Sequence, residues 1–391
     1  MRSPRILCLI DSLGKGGGAE QLIATLVPKL AARGVDIAVA PVADWPVNHH
    51  ATLIEAGIPL HPLKSAVYGK VRFDGLRRVR ALAERERYDI YWGHLVTGIA
   101  LAKTGAMASG GKSIATIHSE GYVVNPPRRL RDRLAVRFER RLVSSTDARV
   151  AVSNAVARDY AAFFGWDDIA IAYNGVDVAA IKALAATHDR AAIRTEFGIA
   201  PDDFLTVTAA RYVTKKGQKY LLEAAAQLVA GGMKGLKLLF CGSGGSAPLR
   251  AEAARLGLGD VVIIEDVLDQ TQLMPLIAAA DAYVMPSLRE PFGIAAAEAM
   301  ALGTPTVLTE TDGFLELVGD SGTALMAPPA DGPALANRIA QVRSDPAAAR
   351  AMGERAARRI ADRFSLDACA SRWIEIFDAV QHDRAIPPCA A

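Results

Sequence analysis

The feature that most constrains this chain is an alternation, repeated from end to end, between short apolar runs and stretches with helical spacing. Arg5-Ile6-Leu7-Cys8-Leu9-Ile10 is apolar at consecutive positions, the pattern of a strand buried on both faces. A glycine cluster follows it. Leu22, Leu26 and Leu30 then recur every four residues until Arg33-Gly34, which reads as a helix with a glycine stop. Further strands are read at 35–40, 90–92, 113–117, 149–152 and 169–172. A second series begins after Asn174-Gly175-Val176-Asp177, with strands at 204–208, 236–240, 261–264, 282–285 and 306–308 separated by helical segments. Two βαβ series in succession predict an α/β protein of two doubly wound parallel sheets, each covered by helices on both faces. In such sheets ligands gather at the carboxyl ends of the strands, and two facing domains leave a cleft between them.

The length of 391 residues exceeds what one hydrophobic core usually serves, in keeping with two domains. We read them as 1–173 and 174–365, followed by a last helix from 366 and a frayed tail containing Pro387 and Pro388. A 51% apolar and 22% charged composition excludes a disordered or collagen-like chain. A net charge of +3, with 6% aromatics and none interleaved among basic residues, argues against nucleic acid as a partner. Cys8, Cys241, Cys369 and Cys389 form no C-x-x-C pair, so neither a zinc site nor a disulfide framework is indicated, and reduced thiols in a cytoplasmic protein are expected. The apolar run ended by Asp11 is too short for a signal peptide, and no run is long enough to span a membrane.

Glycines in Gly14-Lys15-Gly16-Gly17-Gly18-Ala19-Glu20, between the first strand and first helix, allow a ligand close to the backbone at a helix N-terminus. Their spacing does not match G-x-G-x-x-G, and a flexible turn is the plainer reading. Gly111-Lys112-Ser113 is not a P-loop, because Ala106 stands where that motif needs glycine and a strand follows rather than precedes it. Arg211 and Lys216, after the 204–208 strand, place two cations before a helix N-terminus, an arrangement suited to a diphosphate. Gly242, in Cys241-Gly242-Ser243-Gly244-Gly245, offers a second close backbone approach, although either segment alone is compatible with a solvated turn.

The sharpest motif runs Glu290-Pro291-Phe292-Gly293-Ile294-Ala295-Ala296-Ala297-Glu298. Glu290 ends a strand, Gly293 opens a helix whose first N–H groups are free to hold a phosphate, and Glu298 lies on that otherwise apolar helix. A buried carboxylate there needs a partner, either a sugar hydroxyl pair or neighbouring backbone. No Asp-x-Asp occurs and the seven histidines lack metal-ligand spacing, so no metal site is expected. His118 ends a strand at the predicted cleft and is a candidate site residue; His94 has the same placement and is read as structural. Between Arg128 and Arg141 seven arginines accompany Leu130, Leu134, Phe138 and Leu142 at fourfold spacing. Such a helix ordinarily packs its apolar face on the core and solvates its charges, the alternative being contact with an anionic membrane surface.

Taken together, these residues resemble the retaining GT-B glycosyltransferases of family four (group 1), over nearly the whole chain. Gly16 to Glu20 looks like the family's glycine loop, Val152-Ser153-Asn154 and Asn174-Gly175-Val176-Asp177 like its interdomain landmarks, Arg211 with Lys216-Gly217 like its diphosphate pair, and Glu290 to Glu298 like its paired-glutamate motif. The resemblance implies two Rossmann-like domains facing across a cleft, the N-terminal one binding the acceptor and the last helix crossing back to it. It implies that Glu290 binds donor-sugar hydroxyls and Glu298 the ribose. Arg211 and Lys216 would stabilise the leaving diphosphate, His118 would face donor sugar and acceptor, and Gly16, Gly17, Gly242, Val267, Phe292, Gly293 and Ile294 would line the donor. Glu265-Asp266-Val267 departs from the family, which has glycine before this position. The implied reaction is metal- and cofactor-independent transfer of a hexose from a nucleotide sugar, UDP before GDP, to a glycan or lipid-linked acceptor in polysaccharide biosynthesis. The reduced thiols point to the cytoplasm, and the basic helix, where it contacts a membrane, would make the chain peripheral at its inner face. A nucleotide-sugar epimerase and a silent sugar-nucleotide-binding module are the competing readings.

Overall fold

The computed structural model describes residues 4–14, 17–43, 48–67, 70–71, 73–119, 127 and 129–389. They fall into two compact units, Met1–Gly175 together with Leu366–Ala391, and Val176–Ser365. Each is built on a six-stranded sheet whose strands are all parallel and are flanked by helices.

In the N-terminal unit the strand order is 36–41, 5–10, 90–94, 112–117, 148–151, 169–171. The chain starts centrally at Arg5–Ile10, adds Asp36–Pro41 on one side and then continues outward from Ile90–His94 on the other. Its direction of winding therefore reverses between 5–10 and 90–94, where Ile10 and His94 lie side by side. The second unit has the order 262–265, 236–241, 204–209, 282–285, 306–309, 325–327, with its reversal between Phe204–Ala209 and Ala282–Met285. Strands that part in opposite directions leave a crevice at their carboxyl ends, so these two points are where each unit can receive a ligand. Leu325–Ala327 adds a sixth strand to the five read from the sequence of this unit.

Leu366–Gln381 packs in the N-terminal unit, where Trp373 and Phe377 join Trp92 at ring separations of 4.4 and 5.2 Å. Buried Arg372 ties this helix to the edge strand by donating to the carbonyl of Ile171 at 2.9 Å. It also donates to the carbonyl of Pro387 at 2.6 Å, and Ile386 and Cys389 pack on the core. The tail through Cys389 is therefore docked rather than frayed, because a buried guanidinium has more donors than its own helix can satisfy.

The basic helix, Leu130–Ser144, also departs from expectation. Leu130, Leu134 and Phe138 are exposed, while Val143 and Glu139 are buried and Val136 and Leu142 pack beside them. Glu139 accepts from the Tyr160 hydroxyl at 3.0 Å, which makes a carboxylate acceptable on the inward face. The inward face packs on the neighbouring cluster of Tyr160, Phe164 and Trp166.

Candidate functional site

In the second unit the segments after the two strands at the reversal point are stitched together. Arg211 leaves the Phe204–Ala209 strand, and Thr214–Lys216 makes one turn of 3₁₀ helix. Gly217 follows at φ +66°, and a Cβ built there would lie 1.9 Å from the carbonyl oxygen of Pro286. Only glycine satisfies both the left-handed backbone and that approach. The closeness lets Leu288 N–H donate to the carbonyl of Lys215 at 2.8 Å. Lys216 Nζ donates to Glu290 Oε2 at 2.5 Å, and Ser287 Oγ donates to the same oxygen at 3.2 Å. Glu290 is 6% exposed, so this charge pair is largely withdrawn from water. Arg211 is exposed, with its carbonyl held by Gln218 Nε2 at 2.9 Å.

Gly293, at φ +96°, starts the helix Ile294–Ala301 against the Phe314 ring. The first N–H groups of that helix lack intrahelical acceptors and carry the positive end of its dipole. One turn further, Glu298 is 8% exposed and, among the described residues, receives only a 3.3 Å hydrogen bond from Gln270 Nε2. Burial pushes its carboxyl up to about 7, partly offset by Gln270. Tyr212 fixes the neighbouring loops by donating to the carbonyls of Glu265 at 2.5 Å and Phe240 at 3.1 Å. Gly242 follows the latter's strand, and Val267, half exposed, follows the former's. Cations, a helix N-terminus, a paired carboxylate and a high-pKa carboxylate thus line one edge, a set that can hold a diphosphate beside a polyol.

The corresponding edge of the N-terminal unit is built around two buried histidines. His94 Nδ1 and His118 Nε2, at the ends of adjacent strands, are 2.8 Å apart. Burial lowers His118 to about 4, and burial followed by the neighbouring His118 lowers His94 well below the usual histidine range. His94 Nε2 is buried without a hydrogen-bond partner among the described residues. A buried orphan N–H is costlier than an orphan lone pair, which assigns the His94 hydrogen to Nδ1, donating to His118. His118 then carries its own hydrogen on Nδ1. Asp11, at the end of Arg5–Ile10, accepts from Gly98 N–H at 2.9 Å, and burial raises its carboxyl above the ordinary range. Gly17 caps the helix Gly18–Ala32, with Glu20 folded against it.

The sequence profile of the glycosyl transferases group 1 matches residues 189–359, and that of glycosyltransferase family 4 matches residues 16–180. The chain belongs to the family 4, group 1 glycosyltransferases. It is similar to the D-inositol 3-phosphate glycosyltransferase of Streptomyces avermitilis, 28% identical over 97% of this chain and 88% of that protein. The enzyme of that name from Streptomyces bingchenggensis is 30% identical over 61% of this chain, the match spanning about half of that protein, 54% of its length. Among solved structures, Anabaena Alr3699/HepE in complex with UDP-glucose superposes with a TM-score of 0.82, at 22% identity over 96% of this chain and 100% of that one. That likeness establishes the GT-B fold, two Rossmann-like units.

Of the residues singled out in the sequence of this glycosyltransferase, Lys216 and Glu290 are brought into direct contact. Arg211, Gly242, Val267, Gly293, Ile294 and Glu298 lie on the same sheet's carboxyl side, in loops or the helix that follow its strands. Phe292 differs: its side chain is buried against Phe364, ring centroids 5.5 Å apart, so only its backbone can meet a ligand. Gly16 lies outside the described residues. His94, read as structural, is buried and bonds to His118, a pairing signalled by two adjacent strand ends bearing the same residue. Ser287, Gln270 and Tyr212 carried no such signal, because a polar residue near a turn is ordinary. Among the described residues no cluster of His, Cys, Asp or Glu could hold a metal, and no helix is long and apolar enough to cross a membrane.

Proposed function

We propose that this glycosyltransferase is a retaining hexosyltransferase that uses a UDP-sugar without metal or cofactor and delivers the hexose to a glycan or lipid-linked acceptor held by the N-terminal unit. The observation that carries this reading is the Lys216–Glu290 pair at the reversal point of the second sheet, beside the N-terminus of Ile294–Ala301. Breaking the anomeric C–O bond leaves negative charge on the diphosphate and positive charge on the sugar ring. Lys216, Arg211 and the helix N–H groups stabilise the first, more in the transition state than in the ground state. Glu290, oriented by Lys216 and Ser287, accepts from sugar hydroxyls, and Glu298 accepts from the ribose. Attack on the face the diphosphate leaves, with the departing phosphate oxygen taking the acceptor proton, retains the anomeric configuration.

The compounds named with the similar proteins, UDP-glucose bound in the Anabaena structure and D-inositol 3-phosphate in the name of the Streptomyces enzymes, support a UDP donor and supply a first soluble acceptor to try. The test is calorimetry with UDP, GDP and ADP, with and without magnesium, followed by NMR of the product's anomeric configuration. UDP is expected to bind equally with and without magnesium. Glu290→Gln is expected to keep UDP affinity within about threefold while lowering transfer by about 100–1000-fold. Near-normal transfer by Glu290→Gln, an inverted product, or magnesium-dependent binding would each overturn the corresponding part of the reading.

A further inference from the structure

The turn from the Ile90–His94 strand into the helix Leu95–Ser109 is held from several sides. Leu95 stands at φ +60°, a left-handed backbone that leucine adopts only where its surroundings impose it. Gly98 packs on the Arg5–Ile10 strand so closely that a Cβ there would lie 2.5 Å from the carbonyl oxygen of Leu9. Asp11, from the end of that strand, accepts from Gly98 N–H at 2.9 Å and so caps the helix from outside. His94 occupies the N-cap position yet makes no capping bond, because Asp11 has taken that task. Its imidazole is thereby spared for another partner. The ring is fully buried, 4.4 Å from Trp92, whose indole N–H donates to Thr116 Oγ1 at 2.8 Å. Trp92 and His94 pair in register with Ile114 and Thr116, and each reaches the side chain two residues beyond its register partner. Turn and indole together hold the His94 ring with Nδ1 at His118 Nε2, 2.8 Å away.

We infer that His94 is a positioning residue for His118. It donates from Nδ1 to His118 Nε2 and so keeps the His118 hydrogen on Nδ1, where that ring meets a ligand oxygen as a donor and not as a base. Burial lowers both histidines, so each ring carries a single hydrogen at neutral pH, and one hydrogen bond between them fixes both tautomers. Its direction follows from the packing. His94 Nε2 has no partner among the described residues, and a buried N–H there would cost more than a buried lone pair. His118 is half-buried and makes no other hydrogen bond among the described residues, which leaves Nδ1–H as its available polar group. The inference rests on the proposed function, in which the N-terminal unit holds the acceptor, and adds a constraint to it. The one lone pair of His118 is occupied by His94, so His118 cannot take the acceptor's proton. That proton is left to the departing phosphate oxygen.

The test is long-range proton–nitrogen NMR of the full chain carrying isotopically labelled histidine, read beside release of UDP from UDP-glucose with D-inositol 3-phosphate as acceptor. The His118 signals are assigned by their loss in His118→Asn. The wild type is expected to show both His94 and His118 with hydrogen on Nδ1. His94→Asn, whose amide keeps a donor near the place of Nδ1, is expected to retain the His118 tautomer and to recover transfer to within about threefold. His94→Leu removes the donor. It is expected to put hydrogen on His118 Nε2 and to lower kcat by about 10–100-fold, with the KM for UDP-glucose within about twofold. Hydrogen on His118 Nε2 in the wild type overturns the inference without recourse to any variant. An unchanged His118 tautomer in His94→Leu overturns it too, as does transfer by that variant within about twofold of wild type. Unchanged UDP affinity and unfolding midpoint in His94→Leu separate lost positioning from lost folding. A wild type that shows the expected tautomers but releases no UDP would sink the donor chosen in the proposed function while supporting this inference.

Discussion

The two sheets of this molecule reverse their winding at equivalent points, yet furnish those points with opposite electrostatics. At the reversal of the second unit, Lys216 and Glu290 form a salt bridge 2.5 Å long, with exposed Arg211 on the same loop. At that of the first, His94 and His118, both lowered by burial, are joined by one hydrogen bond, and Asp11 is raised by burial. A doubly wound sheet determines where chain ends converge; it does not determine which chemistry they present. Charge is useful where a diphosphate must be held and its leaving stabilised. Neutral donors and acceptors suit recognition of hydroxyl groups, which a fixed charge would bind less selectively.

That contrast can be broken most severely at Gly217. Alanine there must adopt φ +66° and push away the carbonyl of Pro286, so Gly217→Ala is expected to cost about 3 kcal/mol and to separate Lys216 from Glu290. Chemical denaturation and UDP affinity should fall together; an unchanged UDP affinity would show that the stitch does not position the cations. The charged edge is next sharpened through Glu298. Its folded-state pKa of about 7 lies above the ordinary 4.5, so the native state binds more protons and stability is lost as pH rises through that window. Glu298→Gln should therefore stabilise the protein by about 2 kcal/mol at pH 8 and scarcely at all near pH 4.5, read from denaturation midpoints. Equal effects at both pH values would refute burial as the cause.

The neutral edge gives the smallest and opposite effect. The histidines are lowered on folding, so their contribution is complete above about pH 6.5 and is lost as the pH falls towards 4. His94→Asn keeps a donor towards His118 but removes one titrating ring, and should flatten the stability loss between pH 7 and pH 5 by about 1 kcal/mol. An unchanged slope would assign the acid sensitivity elsewhere. A His118 Nδ1–H signal retained in that variant's NMR spectrum would support the hydrogen assignment.

Much of this molecule can be read without coordinates, and what cannot has a common cause. Strands such as Arg5–Ile10 and Leu236–Cys241 are buried on both faces, and that environment writes itself locally as an unbroken apolar run. Gly217, Gly293 and Glu290 were visible because turns and strand ends demand special residues. Arg194, buried and donating to the carbonyls of Ala279 and Ala200 and to Asp281, looks like any surface arginine in its own helix, because its partners come from distant segments. Phe292 likewise stood within a binding motif, while its ring belongs to the core.

Sequence alone determined the two series of parallel strands, the positions of their ligand-bearing ends and the family, since each rests on short-range patterns. Tertiary structure alone decided that residues 74 apart, Lys216 and Glu290, become an ion pair, because strand order rather than spacing makes their strands neighbours. It also decided which of two apolar rows the arginine-rich helix turns inward. Periodicity shows that a face exists, and only the packing of neighbouring side chains shows whether that face is covered.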